Sequence, residues 1–589
     1  MVMALRHIFY ETDLCVIGGG IAGISAAVTA ARLGVKVVLI QERPVFGGNS
    51  SGEIRMWICG VTDYKFREAG LEEEIALENY YYNPTKNFNL WNAVLYGKVT
   101  AEKNITPLLN CTCFSAEKAG DKITAVTAYQ MTTQTLYTIK AKYFADCSGD
   151  SITAAVAGAK YMYGRESRED YGEKITPREN RDGKTMGNSC LIQARKTDKK
   201  VEFRAPEWAE KVSVKKLKSL GLSLSDPGEN FWYIELGGNL HTVFDAETVN
   251  RRLLALCLGV WDTIKNSGSF DADNFELEFL GFLPAKRESY RLVGDYVETA
   301  SDLLNGGVFP DTVAYGGWAL DDHNPDGFDG NWANNTTEVP NPYGIPYRCL
   351  YSANVSNLFF AGRNISMTHM AMSSARVMGT CGTLGQAVGV AAYLAVRDDL
   401  SPREVGRLCI GELQQILLVF DCYLPGVVRK RDEICLSAEL FPDESAEVLR
   451  NGFDRAIPGK NNRMTIKNGE KTGYFLKNPS FIRFIKVVFD SDFERKTFDM
   501  HEAEKHHIMR CNIFPDSPVM PMPKTLAKNF CVTVTDERGI SHVVCESKEN
   551  IRRNILIPVE RNISAAELVV RENWGGMSET GIFTFELFS

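Results

Sequence analysis

The sequence predicts an α/β chain: a parallel-sheet domain at the N-terminal end, a mixed α+β insert, and a C-terminal β-sandwich. Three observations predict it. First, the apolar runs 13–17 and 35–40 flank an Ala-rich stretch, 22–33, that Gly34 closes. A strand, a helix ended by glycine and a second strand need a crossover connection, and a crossover implies parallel pairing. Second, residues 357–396 repeat that pattern as a short apolar strand, a Gly-rich turn and a Gly/Ala-rich helix. Third, from about Ile434 the periodicity changes. The runs 481–489, 530–534, 554–559, 567–570 and 581–588 alternate or are rich in β-branched and aromatic residues, with turn residues between them. Short strands of that kind suit a sandwich.

The length of 589 residues fits three domains at roughly 100–200 residues each. The expected limits are 1–160 with 350–430 for the discontinuous first domain, 161–349 for the insert, which caps it, and 431–589 for the sandwich. Residues 122–145 read as hairpin strands ending in the turn Ala145-Asp146-Cys147-Ser148-Gly149-Asp150. The net charge of −8 argues against nucleic acid and anionic membranes as main partners. No stretch of 18 or more apolar residues occurs, and residues 1–12 lack the apolar core of a signal peptide, so no membrane span and a cytoplasmic location are expected. The 15 cysteines are then expected to be reduced. Cys111 and Cys113 form a CxC that reads as two neighbouring strand residues rather than a metal or redox pair.

Gly18-Gly19-Gly20-Ile21-Ala22-Gly23 satisfies GxGxxG between a strand and a helix. Such glycines allow a tight turn and bring a pyrophosphate to the helix N-terminus, where free N–H groups and the dipole stabilise its charge. The second strand ordinarily ends in an acid for the adenosine ribose. Here that position is Gln41, with Glu42 next, and either side chain can reach the ribose. Arg43 follows, as a phosphate or adenine contact or a solvated loop charge.

A second Gly/Ser loop follows at once: Pro44-Val45-Phe46-Gly47-Gly48-Asn49-Ser50-Ser51-Gly52. It suits a long cofactor whose ribityl chain runs past it. This stretch resembles the glutathione-reductase-type Rossmann flavoproteins, and most the FAD-dependent oxidoreductase family related to the succinate dehydrogenase and fumarate reductase flavoproteins. The blocks Ala145–Asp150, Phe359-Phe360-Ala361-Gly362-Arg363-Asn364 and Arg376-Val377-Met378 through Gly385-Gln386-Ala387 and Gly389 resemble that family's later segments in order and spacing. The resemblance covers about 13–397 and implies FAD as cofactor. It implies that Gly18, Gly20, Gly23, Gln41, Glu42, Arg43, Gly48, Asn49 and Ser50 line the ADP and ribityl portion. Cys113 would offer a backbone contact to adenine. Ser148, Gly149 and Asp150 would cover the diphosphate. Gly362, Arg363, Asn364, Arg376 and Met378 would approach the ring system.

No second GxGxxG and no CxxC occur, so neither a built-in NAD(P)H domain nor dithiol chemistry is expected. A small-molecule substrate and a separate electron acceptor are: oxygen, a quinone or a carrier protein, unless the cycle is redox-neutral. Among the eight histidines, His7, His501, His506, His507 and His542 read as surface residues and His241 is ambiguous. His369, in Ser366–Met370 after the flavin-side turn, either takes a proton during substrate oxidation or makes a structural hydrogen bond. His323, in Trp318–His323, either forms an oriented base with a nearby carboxylate or belongs to a loop charge cluster. The loop 49–59 has no histidine, so covalent flavin attachment of the kind the related dehydrogenases show is not expected.

Lys286–Arg291 resembles the family's Arg-Glu-Ser-x-Arg block. Arg287 and Arg291 either point at a carboxylate or polyhydroxy substrate or form a salt-bridged face, and Arg55 is similar. Aromatic residues in 79–91 and 316–332 supply stacking platforms for sugar rings or simply pack. The expected reaction is hydride transfer between a small polar substrate, a carbohydrate-derived alcohol, and flavin. The alternatives are an enoate or dicarboxylate reductase, and a carbohydrate-binding protein or redox sensor whose flavin does not turn over.

Overall fold

The computed structural model describes residues 5–589. They form two compact units. Of the described residues, the first holds those up to 62, with 86–413 and 507–518; the second holds 63–85, 414–506 and 519–589. The expected limits cross these units: 63–85 and 414–430, expected in the first domain, fall in the second unit, and 507–518, expected in the sandwich, falls in the first.

The first unit is built on a seven-stranded mixed sheet. Strand β1 (Arg6–Ile17) leads into helix α1 (Ile21–Arg32) and strand β2 (Val37–Ile40). Strands β3 (Ile105–Leu108), β4 (Cys111–Ala119), β5 (Lys122–Gln130) and β6 (Thr135–Asp146) complete its main path, in the order β3-β2-β1-β6-β5-β4. The expected crossover is present: Leu14 pairs with Val37 and Ile17 with Ile40, both in parallel. β6 runs parallel to β1 on its other side, and β5–β6 is the expected hairpin. The strand Leu358–Phe360 joins β6 in parallel. All four residues of β2 and Leu14–Ile17 of β1 are buried, as near-continuous apolar runs in a covered parallel sheet should be.

Helix α1 ends at Leu33 and Gly34, whose φ of +94° suits glycine alone without strain. Eleven of its twelve residues are buried. It packs against the helix Met378–Asp398, which is long and apolar enough to cross a membrane yet is 89% buried over its apolar window. Two glycines permit that contact. A Cβ on Gly385 would meet Ala22 O at 2.1 Å, and one on Gly389 would meet Ala26 O at 2.7 Å.

Residues 161–349 add small antiparallel sheets and one long helix, Ala246–Asn266, to the same unit. The short strands Asn188–Ser189, Glu235–Leu236 and Ala285–Lys286 form one three-stranded sheet.

The second unit is a seven-stranded antiparallel sheet. The expected runs 554–559 and 567–570 are the two halves of one strand, Asn554–Asn573. Glu560 within it has φ +49°, and its pairing with Lys471–Phe489 shifts register twice. Segment 63–85, with the helix Leu71–Tyr82, also belongs to this unit. Its interior carries a charge cluster: Arg429 bridges Asp454 and Glu586, each at 2.7 Å, and Lys486 reaches Asp454 at 3.2 Å.

Candidate functional site

A cavity of about 990 Å³ opens in the first unit at the C-terminal ends of β1, β2 and β6. That is the edge where open α/β sheets bind ligands, and its size is at the top of the usual range of about 300–1,000 Å³. The glycine loop forms part of its wall. Gly18 has φ +100°, and a Cβ there would lie 2.6 Å from Cys147 O. A Cβ on Gly23 would lie 1.8 Å from Gly18 O, so that glycine presses α1 onto the loop and does not itself line the cavity. Gly20 differs: the nearest atom to a Cβ there is the Gly48 Cα, 3.9 Å away. The space beside Gly20 is thus open to a ligand, at an uncapped helix N-terminus.

The structure separates Gln41 from Glu42. The Gln41 carboxamide accepts from Gly19 N at 2.8 Å and donates to Val45 O at 3.0 Å. Both its ends are thus spent on the glycine loop and the chain that follows. A glutamate could not donate to Val45 O, which explains an amide where an acid was expected. Glu42 lines the cavity with its side chain 60% exposed, and Arg43 lies 3.6 Å from it. Gly48 and Asn49 also line the cavity, whereas Ser50 is buried and donates to Gly47 O at 2.9 Å.

Cys113, Ser148, Gly149 and Asp150 line the next stretch of wall. Burial pushes the Cys113 thiol up to about 11, so it is a thiol at neutral pH. Asp150 sits between two cations, Lys286 at 2.5 Å and Arg363 at 2.9 Å. Burial raises its pKa, but the two cations outweigh that and hold the carboxyl below the usual range. Gly362, Arg363, Arg376 and Met378 line the cavity as well. Asn364 does not: it is fully buried and donates to Asp146 O and Ser151 Oγ at 3.1 and 2.8 Å.

His323 is in the wall with Arg287 and Arg376. Its Nδ1 lies 2.6 Å from Glu235 and its Nε2 lies 3.1 Å from Asp321. Arg376 donates to Asp321 at 2.9 Å, and Asn334 donates to the other oxygen of that carboxylate at 2.5 Å. Arg287 donates to Gly187 O, Ser189 Oγ and Trp232 O and lies 3.3 Å from Glu235. Burial raises the pKa of both carboxyls, yet their partners prevail and both are depressed. The cations and His323 hold Glu235 down, and the hydrogen bond from His323 with the Arg376 charge holds Asp321 down. Trp57, Trp232 and Trp318 also line the cavity, the Trp232 ring 5.3 Å from that of His323.

Two residues expected to take part in the chemistry lie elsewhere. Arg291 is fully buried, in ion pairs with Glu166 and Glu288, so it is a core cation and not a substrate contact. His369 is also fully buried, with Nδ1 3.0 Å from Glu288 and Nε2 2.9 Å from Asp322, and is not in the cavity wall. Burial lowers its pKa, but the two carboxylates outweigh that and raise it to about 9, so it is a fixed imidazolium at neutral pH. Arg55 stacks over Phe279 at 4.0 Å and donates to Gln193, which accounts for its charge without a substrate. Sequence reasoning missed Glu235, Lys286, Trp57 and Trp232. Glu235 is 88 residues from His323 in the chain, and nothing in its short strand marks it.

The cavity suits a dinucleotide with a ring system. Open space lies beside Gly20, a carboxylate (Glu42) and an arginine (Arg43) line the cavity just past the end of β2, and Arg43 Nη1 and Arg363 Nε are buried donors without a hydrogen-bond partner among the described residues. The family described as FAD dependent oxidoreductase matches residues 13–417. The sarcosine oxidase subunit alpha of Corynebacterium sp. (strain U-96) is 41% identical over 66 residues, which is 10% of this chain and 7% of that protein. The chain thus spans well under two thirds of that relative. E. coli quinol fumarate reductase is 11% identical with a TM-score of 0.28, covering 75% of this chain and 77% of that one. A family 32 carbohydrate-binding module from Streptococcus pneumoniae EndoD is 13% identical with a TM-score of 0.19, covering 26% of this chain and 98% of that one. Scores this low carry no structural argument.

Proposed function

The chain belongs to the FAD-dependent oxidoreductase family, and from that premise we propose that it oxidises a small, neutral, carbohydrate-derived alcohol and passes the electrons to a separate acceptor. It is an oxidoreductase and FAD is its cofactor; the substrate and the residue roles are the proposal. So are the insert's role as a cap and the C-terminal sandwich. The observation that carries the substrate reading is His323 held between Glu235 and Asp321 in a cavity wall with three tryptophans.

Glu42 would hold the ribose, and Gly18, Gly20 and the start of α1 the diphosphate. Arg363, Arg376 and Met378 would sit at the ring system. Bound FAD supplies a two-electron acceptor that the side chains lack. The protein supplies proton handling. The neutral His323 ring, formed when Nε2 sheds the proton it directs at Asp321 and keeping Nδ1–H donated to Glu235, takes the hydroxyl proton of the substrate at Nε2, and Glu235 stabilises the imidazolium that results. Asp321 can release Nε2 without being left bare, because Asn334 and Arg376 still donate to it. Indole faces suit the apolar faces of a sugar ring.

A second reading, reduction of an enoate dicarboxylate, draws on Arg287 and Arg376 beside His323. Each of these arginines already has a carboxylate partner, so an anionic substrate would have to displace one. The neutral alcohol needs no such exchange and is preferred. Anaerobic titration separates the two. Bleaching of the flavin by sugars or polyols supports the alcohol. Reoxidation of dithionite-reduced protein by fumarate-like acids, with no bleaching by any alcohol, supports the reductase.

A further inference from the structure

The segment Leu283–Arg287 lines the same cavity as the glycine loop, and its attachments define how it lies. Asn49, in the loop after β2, donates from Nδ2 to Lys286 O at 3.0 Å. Lys286 Nζ donates to Asp150, in the turn after β6, at 2.5 Å. In the sheet, β1 lies between β2 and β6. Lys286 is thus held by its backbone to the loop after β2 and by its side chain to the turn after β6, so its side chain crosses the loop that follows β1, which is the Gly18–Gly20 turn. The segment is stiff at this point: Ala285 and Lys286 pair with Ser189 and Asn188, and Arg287 is held by three acceptors.

We propose that Leu283–Arg287 is a strap across the diphosphate portion of FAD, latched by the Lys286–Asp150 ion pair, and that the cofactor enters and leaves when this latch opens. The proposal rests on the FAD assignment and is independent of the substrate. The far side of the latch is built for the purpose. Arg363 grips the other oxygen of Asp150 at 2.9 Å, and it lies against Gly149, where a Cβ would meet its Nη1 at 2.5 Å. Its buried Nε has no hydrogen-bond partner among the described residues. Asp150 thus joins a cation of the strap to a cation of the flavin-side turn. The three groups leave one net positive charge beside the place where the diphosphate's negative charge lies.

Release of FAD from the holoprotein, followed by the rise in free-flavin fluorescence, tests this without any substrate. Lys286→Met and Asp150→Asn should each release FAD faster, by about tenfold or more for one lost charge-assisted contact. The double variant should release FAD no faster than Asp150→Asn alone, because that change already removes the latch together with the Arg363 pair. Lys286→Arg should stay near the parent rate. Asp150→Asn is the discriminating variant. If Lys286 acted only as a cation attracting the diphosphate, removing its counter-charge would strengthen that attraction and slow release. Slower or unchanged release from Asp150→Asn overturns the latch, and so does unchanged release from a folded Lys286→Met. Isosteric Asp150→Asn keeps the test available if Lys286→Met fails to fold, as judged by thermal melting. A parent protein that carries no flavin would overturn the FAD assignment instead, which is a distinct result.

Discussion

The two histidines nearest the late turn each have a carboxylate on both ring nitrogens, and access to the cavity is what separates their roles. His323 faces the cavity with a carboxylate on each ring nitrogen. Its replacement by alanine should lower turnover by about 10²–10⁴-fold, the usual range for a general base, while the absorbance of bound FAD stays. Loss of the flavin itself would make the residue structural. His369 lies in the core between Glu288 and Asp322, with its pKa raised to about 9 from the ordinary 6.5. The folded state then holds this proton more tightly than the unfolded chain. The stability it contributes is full below about pH 6.5 and is lost as pH rises through about 9. Thermal melting should therefore fall between pH 7 and 10 in the parent, and fall less in His369→Gln. Equal slopes in the two proteins would contradict the imidazolium.

At the scale of the elements, the first βαβ unit was legible because its apolar runs, closing glycine and GxGxxG act through local conformation. Each sets its structure within a few residues of itself. The ribose position was half legible. Counting along the chain exposed Gln41, but only the fold shows that its amide braces Gly19 and Val45 and leaves Glu42 in the cavity. Arg291 and His369 misled because their motif is chemically right for a site, while burial against Glu166, Glu288 and Asp322 is a long-range event that no spacing encodes. Glu235 was invisible for the same reason. The long C-terminal strand reads as two runs in the sequence because the polar Glu560-Arg561-Asn562 interrupts the alternation between them. The glycines give a contrast that tests the loop. Gly23→Ala would place a Cβ 1.8 Å from Gly18 O, and overpacking of this kind costs about 1–3 kcal/mol or more, so the apoprotein should melt lower. Gly20→Ala meets nothing nearer than 3.9 Å, so the apoprotein should melt as the parent does and bind FAD more weakly. Lowered melting in Gly20→Ala with unchanged FAD affinity would refute the open cradle.

At the scale of the whole molecule, the two units carry different kinds of interior. The first surrounds a cavity whose wall carries charged side chains, Asp150, Lys286, Arg287, Asp321, Arg363 and Arg376 among them. The second buries Arg429, Asp454, Glu586 and Lys486 against one another. Removing one partner from such a cluster strands the others. Arg429→Met should cost about 3–5 kcal/mol, visible as a lower denaturation midpoint with little effect on FAD affinity. The cofactor should stabilise the protein by mass action, by about 2.7 kcal/mol at a hundredfold excess over its dissociation constant. The most direct measurement is the visible absorption spectrum of protein purified without denaturant, repeated after FAD is stripped and added back. One equivalent of bound FAD, lost and regained with the spectrum, is the predicted result. Colourless protein that takes up no FAD on reconstitution would contradict it.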